Sequence, residues 1–346
     1  MDRWSRGGVA GRSGSRSRPC SGDAPPFFGL AVRLRLYLYD AGVLAVHRVS
    51  VPVVSVGNLT VGGTGKTPMV RELVRRLAAR ERRAAVVSRG YGATTGRGES
   101  DEGALLASWL PDVPRRAHPD RVRAAREAVE KDGADCLVLD DGFQHRRLSR
   151  DLDVVLVDAT EPFGHGRLLP GGLLREPPSS LARAGLVVLT RADQVSAETL
   201  AELRRTVSRL SGAPVVEAVH RPVGVVEVPG GAVSPAGFLA GRAVHAFCGI
   251  GQPEGFRGTL ESLGARVVRF DALGDHHAYG EDELDRLLSA GREAGAAISV
   301  TTEKDAVKLT RWATSERTFA YLSVEIAIVS GEAELDLALD RVLEGR

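Results

Sequence analysis

Cysteine, uninterrupted apolar runs and an excess of charge of either sign are all scarce in this sequence. Cys20, Cys136 and Cys248 are far apart, and none belongs to a C-x-x-C pair or a Cys/His cluster. This argues against a disulfide framework and a structural zinc site, and it fits a reducing compartment. The formal net charge is only +2, and no long basic run contains interleaved aromatic residues, so we expect no nucleic-acid partner.

The N-terminal part of the sequence also lacks the continuous apolar stretch of roughly 20 residues that a membrane-spanning helix needs. Residues 1–26 are rich in Gly, Ser, Pro and Arg, which predicts a disordered basic tail. Residues 27–47 are apolar but are interrupted by Arg33, Arg35 and Asp40. We predict an amphipathic, membrane-associated helix that lies in the interface, with the tail attracted to anionic lipids. A helix packed on the protein's own core and a cleaved signal peptide are the alternatives.

A glycine-rich turn between a buried strand and a helix, from Val51 to Pro68, predicts a nucleotide-binding loop. Glycine leaves room for a polyphosphate to approach backbone N–H groups at a helix N-terminus. Lys66 would contact the β- and γ-phosphates, and the Thr67 hydroxyl would bind Mg²⁺. Thr60 stands where the strict G-x-x-x-x-G-K-[ST] pattern has its first glycine, and an ordinary glycine-rich turn is the alternative. The predicted nucleotide-binding residues are Thr60, Val61, Gly62, Gly63, Thr64, Gly65, Lys66 and Thr67.

The rest of the chain alternates between strand and helix patterns. Residues 154–157 and 186–189 are unbroken apolar runs, typical of strands that are buried on both faces. We therefore predict an α/β fold that is P-loop NTPase-like, with a mainly parallel sheet and helices on both faces. The expected domains are a P-loop kinase domain over 48–216, a hinge or short ribbon over 217–235, and a smaller C-terminal α/β domain over 236–346.

Asp140 and Asp141 follow an apolar strand, at the sheet edge where ligands gather. One of these carboxylates can hold Mg²⁺ directly or through water, opposite Thr67; a helix cap or a solvated turn is the alternative. A kinase also needs a group that accepts the proton of the acceptor hydroxyl. Spacing does not choose among the candidates, which are Asp101, Glu102, His145, His165, His276 and His277.

Taken together, these motifs resemble the tetraacyldisaccharide 4′-kinase family, the lipid A 4′-kinases. The resemblance extends over about residues 28–310, and the displaced P-loop glycine is the family's own pattern. The matching motifs are Gly57-Asn-Leu-Thr-Val-Gly-Gly-Thr-Gly-Lys-Thr-Pro68, Ser88-Arg-Gly-Tyr-Gly92, Asp101-Glu102, Asp140-Asp-Gly-Phe-Gln-His145, Gly166-Arg-Leu-Leu-Pro170, Leu174-Arg-Glu-Pro177, Leu189-Thr-Arg-Ala-Asp193, Phe247-Cys-Gly-Ile-Gly251, Asp275-His-His277 and Thr302-Glu-Lys-Asp305.

The resemblance implies transfer of the ATP γ-phosphate to the 4′-hydroxyl of an acylated glucosamine disaccharide 1-phosphate, with ATP and Mg²⁺ as cofactors. This reaction belongs to lipopolysaccharide biosynthesis on the cytoplasmic face of the inner membrane. The implied partners of a peripheral or monotopic enzyme are thus the lipid acceptor and the membrane surface. No obligate protein partner is implied.

The resemblance also implies roles for individual residues. Lys66 acts on the phosphates, and Asp101 paired with His276 activates the acceptor hydroxyl, with His277 as the neighbouring alternative to His276. The implied metal ligands are Thr67, Asp140, Asp141 and Glu176. The residues implied to bind the substrates are Arg89, Arg121, Gln144, His145 and Arg175.

Two other classes of protein remain as alternatives. A P-loop GTPase or regulatory ATPase would switch partners instead of phosphorylating a small substrate, and Thr190-Arg-Ala-Asp193 resembles a guanine-reading loop that lacks its usual lysine. A non-catalytic lipid-binding scaffold would leave Lys66 and the paired aspartates unexplained.

Overall fold

The computed structural model of this protein describes residues 27–90 and 100–345. The predicted basic tail over residues 1–26 therefore lies outside the described part of the chain. Within the described residues, the predicted alternation of strands and helices forms a single sheet of twelve strands.

The first half of the chain contains most of the parallel strands. Its elements are α1 (Phe27–Asp40), β1 (Val53–Asn58), α2 (Lys66–Ala78), β2 (Ala84–Ser88), α3 (Asp101–Trp109), β3 (Arg115–Ala117), α4 (Arg121–Glu130), β4 (Cys136–Leu139), β5 (Leu152–Asp158), β6 (Leu186–Thr190) and α5 (Ala197–Ser211).

The second half adds strands to the same sheet. Its elements are β7 (Val215–Val228), β8 (Val233–Pro235), β9 (Ala243–Cys248), α6 (Pro253–Ser262), β10 (Arg266–Ala272), α7 (Glu281–Glu293), β11 (Ile298–Thr302), α8 (Glu303–Leu309), β12 (Phe319–Ser330) and α9 (Glu332–Glu344).

The strand order places β1 inside the sheet, between β4 and β5. The full order is β10-β9-β11-β12-β7-β6-β5-β1-β4-β2-β3, with β8 paired to β7 at the side. Strand β7 is antiparallel to both β12 and β8, and the other neighbouring pairs are parallel. The loops that follow β1 and β4 leave neighbouring strands at the same edge, which is where an α/β sheet binds its ligands.

The helix that follows the glycine-rich loop is anchored in the core. Met69, Leu73 and Leu77 of α2 recur every four residues, so they share one face, and all three are fully buried. They belong to the same apolar cluster as Val54 of β1 and as Leu335 of α9. Helix α9, from the end of the chain, thus packs on the core of the first half.

Ion pairs on the rim of this core join α2 to α9. Arg76 lies 2.8 Å from Asp336, and Arg80 lies 2.7 Å from Asp340. The region that we predict as a smaller C-terminal domain, residues 236–346, therefore ends in a helix that contacts the P-loop helix.

The predicted hinge or ribbon over residues 217–235 contains most of β7 and all of β8. Strand β7 begins parallel to β6, where Val187 pairs with Val215. It then continues as an antiparallel partner of β12, as far as the pair of Val228 with Phe319. A ribbon is therefore present in this stretch, and bending at this point stays a prediction.

Helix α1 is shorter than the predicted range of 27–47, because it ends at Asp40. The chain turns there through Gly42, whose φ of +70° lies in the left-handed region that favours glycine. The apolar side chains of Phe28, Leu30, Leu34 and Tyr37 are exposed on α1. Across the residues that the structure describes, no helix has the length and apolar character needed to cross a bilayer.

Candidate active site

The glycine-rich loop joins β1 directly to the N-terminus of α2, as the sequence predicts. Gly65 adopts a left-handed conformation with φ of +88°, and the helix begins at the next residue. Asn58, fully buried at the end of β1, donates from Nδ2 to Thr64 Oγ1 at 3.0 Å. The same side chain accepts a hydrogen bond from Lys66 Nζ at its Oδ1, at 3.3 Å. Asn58 therefore holds both the loop and its lysine, although sequence reasoning gave it no role.

The structure divides the predicted nucleotide-binding residues into two groups. Residues 62–67 line a cleft of about 770 Å³. Thr60 and Val61 instead pair with the backbone of a neighbouring loop, since Thr60 bridges Leu174 and Val61 N donates to Leu173 O at 2.8 Å. Thr60 and Val61 therefore anchor the start of the glycine-rich loop and do not line the cleft.

Residues from later strands also contact the phosphate-binding loop. Arg191, which follows β6, donates to Gly63 O at 2.9 Å and pairs with Asp158 at the end of β5. A Cβ atom on Gly65 would lie 2.7 Å from Nε2 of His220, so glycine is required at this approach. Burial, assisted by the Arg191 charge, lowers the pKa of His220 to about 4, which leaves the imidazole neutral at pH 7.

Asp141 is held by cations on two sides. Arg175 lies 2.8 Å from its carboxylate, and Lys66 Nζ lies at 3.5 Å. Burial acts to raise the pKa of Asp141, but these two charges outweigh it and the pKa is lowered. Asp141 adopts φ of +51°, and its backbone carbonyl accepts a 2.7 Å hydrogen bond from the buried Arg121. The carboxylate is therefore ionised and its orientation is fixed.

Asp140 has a different environment from that of its neighbour. Its side chain is buried, and among the described residues it has no ion pair within 4.0 Å and no hydrogen bond to its carboxylate. Burial raises its pKa to about 6, against the opposing charge of Lys66. A buried carboxylate without a close partner, in a cleft that Thr67 also lines, has the chemistry of a Mg²⁺ ligand.

Glu176 is not brought together with the other predicted metal ligands. Its carboxylate is buried and pairs with Arg183 at 2.6 Å, and the guanidinium of Arg183 lies 4.2 Å from the ring centroid of Phe143. Thr67, Asp140 and Asp141 line the cleft, and Glu176 is outside that lining. Glu176 therefore forms a buried ion pair with Arg183 outside the cleft.

The predicted substrate-binding residues lie in two places. Arg89, Arg121 and Arg175 line the cleft. Gln144 and His145 lie behind it, where Gln144 Nε2 donates to Asn58 O at 2.9 Å. Burial and the nearby charge of Arg121 lower the pKa of His145 to about 4, and its Nε2 is buried without a hydrogen-bond partner among the residues that the structure describes.

Two adjacent histidines have separate partners. His276 Nδ1 lies 3.2 Å from Asp101 Oδ2, whereas His277 Nε2 lies 2.8 Å from Glu283. Asp101 is the first residue of α3 and is 1% exposed, and His276 is half exposed with φ of +56°. The structure thus brings Asp101 and His276 together across the cleft from the P-loop and turns His277 away.

Glu102 and His165 are the other candidates for the group that accepts the hydroxyl proton. Glu102 lines the cleft and lies 3.7 Å from Lys304. His165 is exposed and lies 3.6 Å from Glu161, outside the lining of the cleft.

Sequence reasoning missed a buried cation at this site, Lys308, whose Nζ lies 3.1 Å from Asp101. The only signal was its place three residues after the quoted Thr302-Glu-Lys-Asp305 motif.

The fold and the cleft place this protein in the class of P-loop nucleotide-binding enzymes, since the loop, the acidic pair and the Asp101–His276 pair meet in one space. The model of one family within that class, tetraacyldisaccharide-1-P 4′-kinase (LpxK), matches residues 25–344. The chain belongs to that family, a family of kinases.

Individual relatives agree with this assignment. The chain is similar to the tetraacyldisaccharide 4′-kinase of Anaeromyxobacter dehalogenans strain 2CP-C, with 49% identity over 300 residues, 82% of this chain and 79% of the relative. It is 39% identical over 345 residues to the enzyme of the same name from Syntrophus aciditrophicus, covering 92% of this chain and 91% of the relative.

A solved structure is similar over nearly the whole chain. LpxK from Aquifex aeolicus, crystallised in complex with ATP, is 29% identical and superimposes with a TM-score of 0.71, covering 92% of this chain and 96% of that one. The predicted family and the predicted fold class are thereby confirmed. Membership of a kinase family also favours the kinase over the GTPase switch.

Proposed function

We propose that this protein transfers the γ-phosphate of ATP to the 4′-hydroxyl of an acylated glucosamine disaccharide 1-phosphate. The observation that carries the proposal is the cleft itself, in which the P-loop and the Asp101–His276 pair line the same space. A phosphoryl donor on the loop and a hydroxyl at the pair would therefore meet in one cleft, and positioning of the two reactants is a main contribution of a phosphotransferase.

The P-loop side of the cleft is suited to the donor. The N-terminus of α2 directs backbone N–H groups toward a bound phosphate, and Lys66 adds a positive charge. Thr67 and Asp140 would hold Mg²⁺, because one supplies a hydroxyl and the other a buried carboxylate that forms no ion pair with a described residue. The metal ion, when bound, neutralises charge on the phosphates. Asp141 is engaged by Arg175, so we assign it to the orientation of that arginine.

The same cleft also contains groups that are suited to the acceptor. Asp101 and His276 form a carboxylate–imidazole pair that can accept the hydroxyl proton. Arg89, Arg121 and Arg175 supply cations for phosphate groups. Gln144 supports the end of the P-loop strand through its bond to Asn58 O, and His145 Nε2, which has no hydrogen-bond partner among the described residues, could make a further polar contact.

Incubation of acylated disaccharide 1-phosphate with the protein, ATP and Mg²⁺ is expected to give a lipid that is heavier by one phosphoryl group. Mass spectrometry detects this product. Chelation of Mg²⁺ by EDTA should abolish it, because the phosphate charge is then left without its metal counter-ion. Turnover of GTP in preference to ATP, without a phosphorylated lipid, would support the regulatory switch instead.

We also propose that α1 attaches the protein to the cytoplasmic face of the inner membrane. The exposed apolar side chains on α1 include Leu30 and Leu34, and burying them in the interface would remove apolar surface from water. Arg35 donates to Gln144 O at 2.8 Å, and Arg146 pairs with Asp40 at 2.7 Å. Attachment through α1 would therefore hold the loop that contains Gln144 and Arg146 close to the bilayer, where a lipid acceptor resides.

Replacing Leu30 and Leu34 together by glutamate should raise the apparent KM for acceptor in vesicles by about tenfold or more, because two apolar anchors become charges. The KM for ATP should stay near the parent value. The matched control is Leu337→Glu, since Leu337 is similarly exposed but lies on α9. An unchanged KM for vesicle-borne acceptor in the double variant would show that the membrane is contacted elsewhere.

A further inference from the structure

A buried lysine lies next to the Asp101–His276 pair. Lys308, on α8, is 6% exposed, although lysine is among the residues that are least often buried. Its ammonium donates hydrogen bonds to Asp305 Oδ1 at 3.0 Å and to His277 O at 3.2 Å, and it forms an ion pair with Asp101 Oδ2 at 3.1 Å. These three contacts hold the cation at one point.

Asp305 does not depend on this lysine for its own position. Its Oδ2 accepts a hydrogen bond from Gly249 N at 2.8 Å and another from the hydroxyl of Thr302 at 2.7 Å. These contacts fix Asp305 at the start of α8. Asp305 thus serves as the anchor of the ammonium, and what Lys308 adds is the connection onward to Asp101 and His277.

That connection reaches both members of the pair. Lys308 contacts the Asp101 carboxylate directly, and it holds His276 through the backbone carbonyl of the next residue. The turn needs such support, because His276 has φ of +56°, a conformation that is unfavourable for a residue with a side chain. Asp101 comes from the first half of the chain and α8 from the second, so the ammonium also joins the two sides of the cleft.

From these contacts we infer that Lys308 is a positioning residue for phosphoryl transfer, which fixes Asp101 and the turn of His276 relative to each other. The inference rests on the proposed function, in which that pair accepts the hydroxyl proton. Without the ammonium, the buried Asp101 carboxylate loses a charged partner and the turn loses a support, so the pair would spend less time in the geometry that proton transfer needs. Binding of ATP at the P-loop does not involve these contacts.

A double-mutant cycle with Asp101 tests the inference. Lys308→Met keeps the length of the side chain and removes the charge, and Asp101→Asn keeps the shape and removes the base. Lys308→Met alone is expected to lower kcat by about 10- to 100-fold while the KM for ATP changes by less than about threefold. In the Asp101→Asn background, the same change should lower kcat by less than about threefold, because Lys308 acts through Asp101.

The outcomes separate the inference from the proposed function. An equal loss of kcat in both backgrounds, or a parental kcat in Lys308→Met, would overturn the positioning role alone. A parental kcat in Asp101→Asn would overturn the assignment of the base, and this inference with it. Should Lys308→Met fail to fold, the cycle is run with Lys308→Gln, which keeps a donor for Asp101 but not the charge, and the same dependence on Asp101 is expected.

Discussion

Lys66→Ala is expected to lower phosphoryl transfer by roughly 10³-fold. Phosphoryl transfer spreads negative charge over the γ-phosphate oxygens, and a fixed cation at the loop stabilises that charge in the transition state. Lys66 Nζ already lies at the loop, held by Asn58 and near Asp141. Steady-state kinetics with saturating acceptor and ATP measures the loss.

The control for this variant is Lys131→Ala, which removes the same charge from a side chain that is 61% exposed and lies away from the cleft. Its kcat should equal that of the parent. Thermal unfolding checks that Lys66→Ala is folded, since α2 is anchored in the core by the fully buried Met69, Leu73 and Leu77. A folded Lys66→Ala protein with near-parental turnover would contradict the phosphate-binding role of the loop.

Asp101→Asn and His276→Ala are each expected to lower kcat by roughly 10²- to 10⁴-fold, the range for a lost general base. The KM for ATP should change much less, because the pair lies across the cleft from the P-loop. The two side chains are 3.2 Å apart and act as one unit, so the double variant should lose less than the product of the single losses. Single-turnover measurements separate this chemical step from product release.

His277→Ala provides the comparison for the second histidine. Its imidazole contacts Glu283 and not Asp101, so we expect a far smaller loss of kcat than for His276→Ala. A larger loss in His277→Ala would exchange the roles of the two histidines. Losses that multiply in the Asp101/His276 double variant would instead indicate that the two residues serve separate steps.

Much of the site is predictable from the sequence because its signals are local. A glycine-rich turn followed by Gly65-Lys66-Thr67 predicts the loop, and the structure begins α2 at Lys66, within that motif. The apolar run before Asp140 predicts β4, which ends at Leu139. Parallel neighbouring strands then place both loops at one edge of the sheet. Each of these inferences depends on residues close together in the chain.

Contacts between distant segments escaped prediction. Strand β12 and helix α9 were not predicted, and both join the two halves of the molecule. Asn58, Arg191 and Lys308 contact the site from separate elements, and no role was predicted for any of them. Glu176 was implied as a metal ligand, and the structure pairs one oxygen of its carboxylate with Arg183 outside the lining of the cleft, so its role in metal binding stays a prediction.

The sequence by itself determined the family through its motifs and the α/β class through its periodicity, and it placed the glycine-rich loop between a strand and a helix, since these signals act over a few residues. Only the tertiary structure decided which of two adjacent histidines contacts Asp101. Identical side chains one position apart are equivalent in a sequence, but the left-handed backbone of His276 directs them to different partners. It also decided that Lys308 joins the pair, because burial and pairing of a charge depend on elements more than two hundred residues apart in the chain.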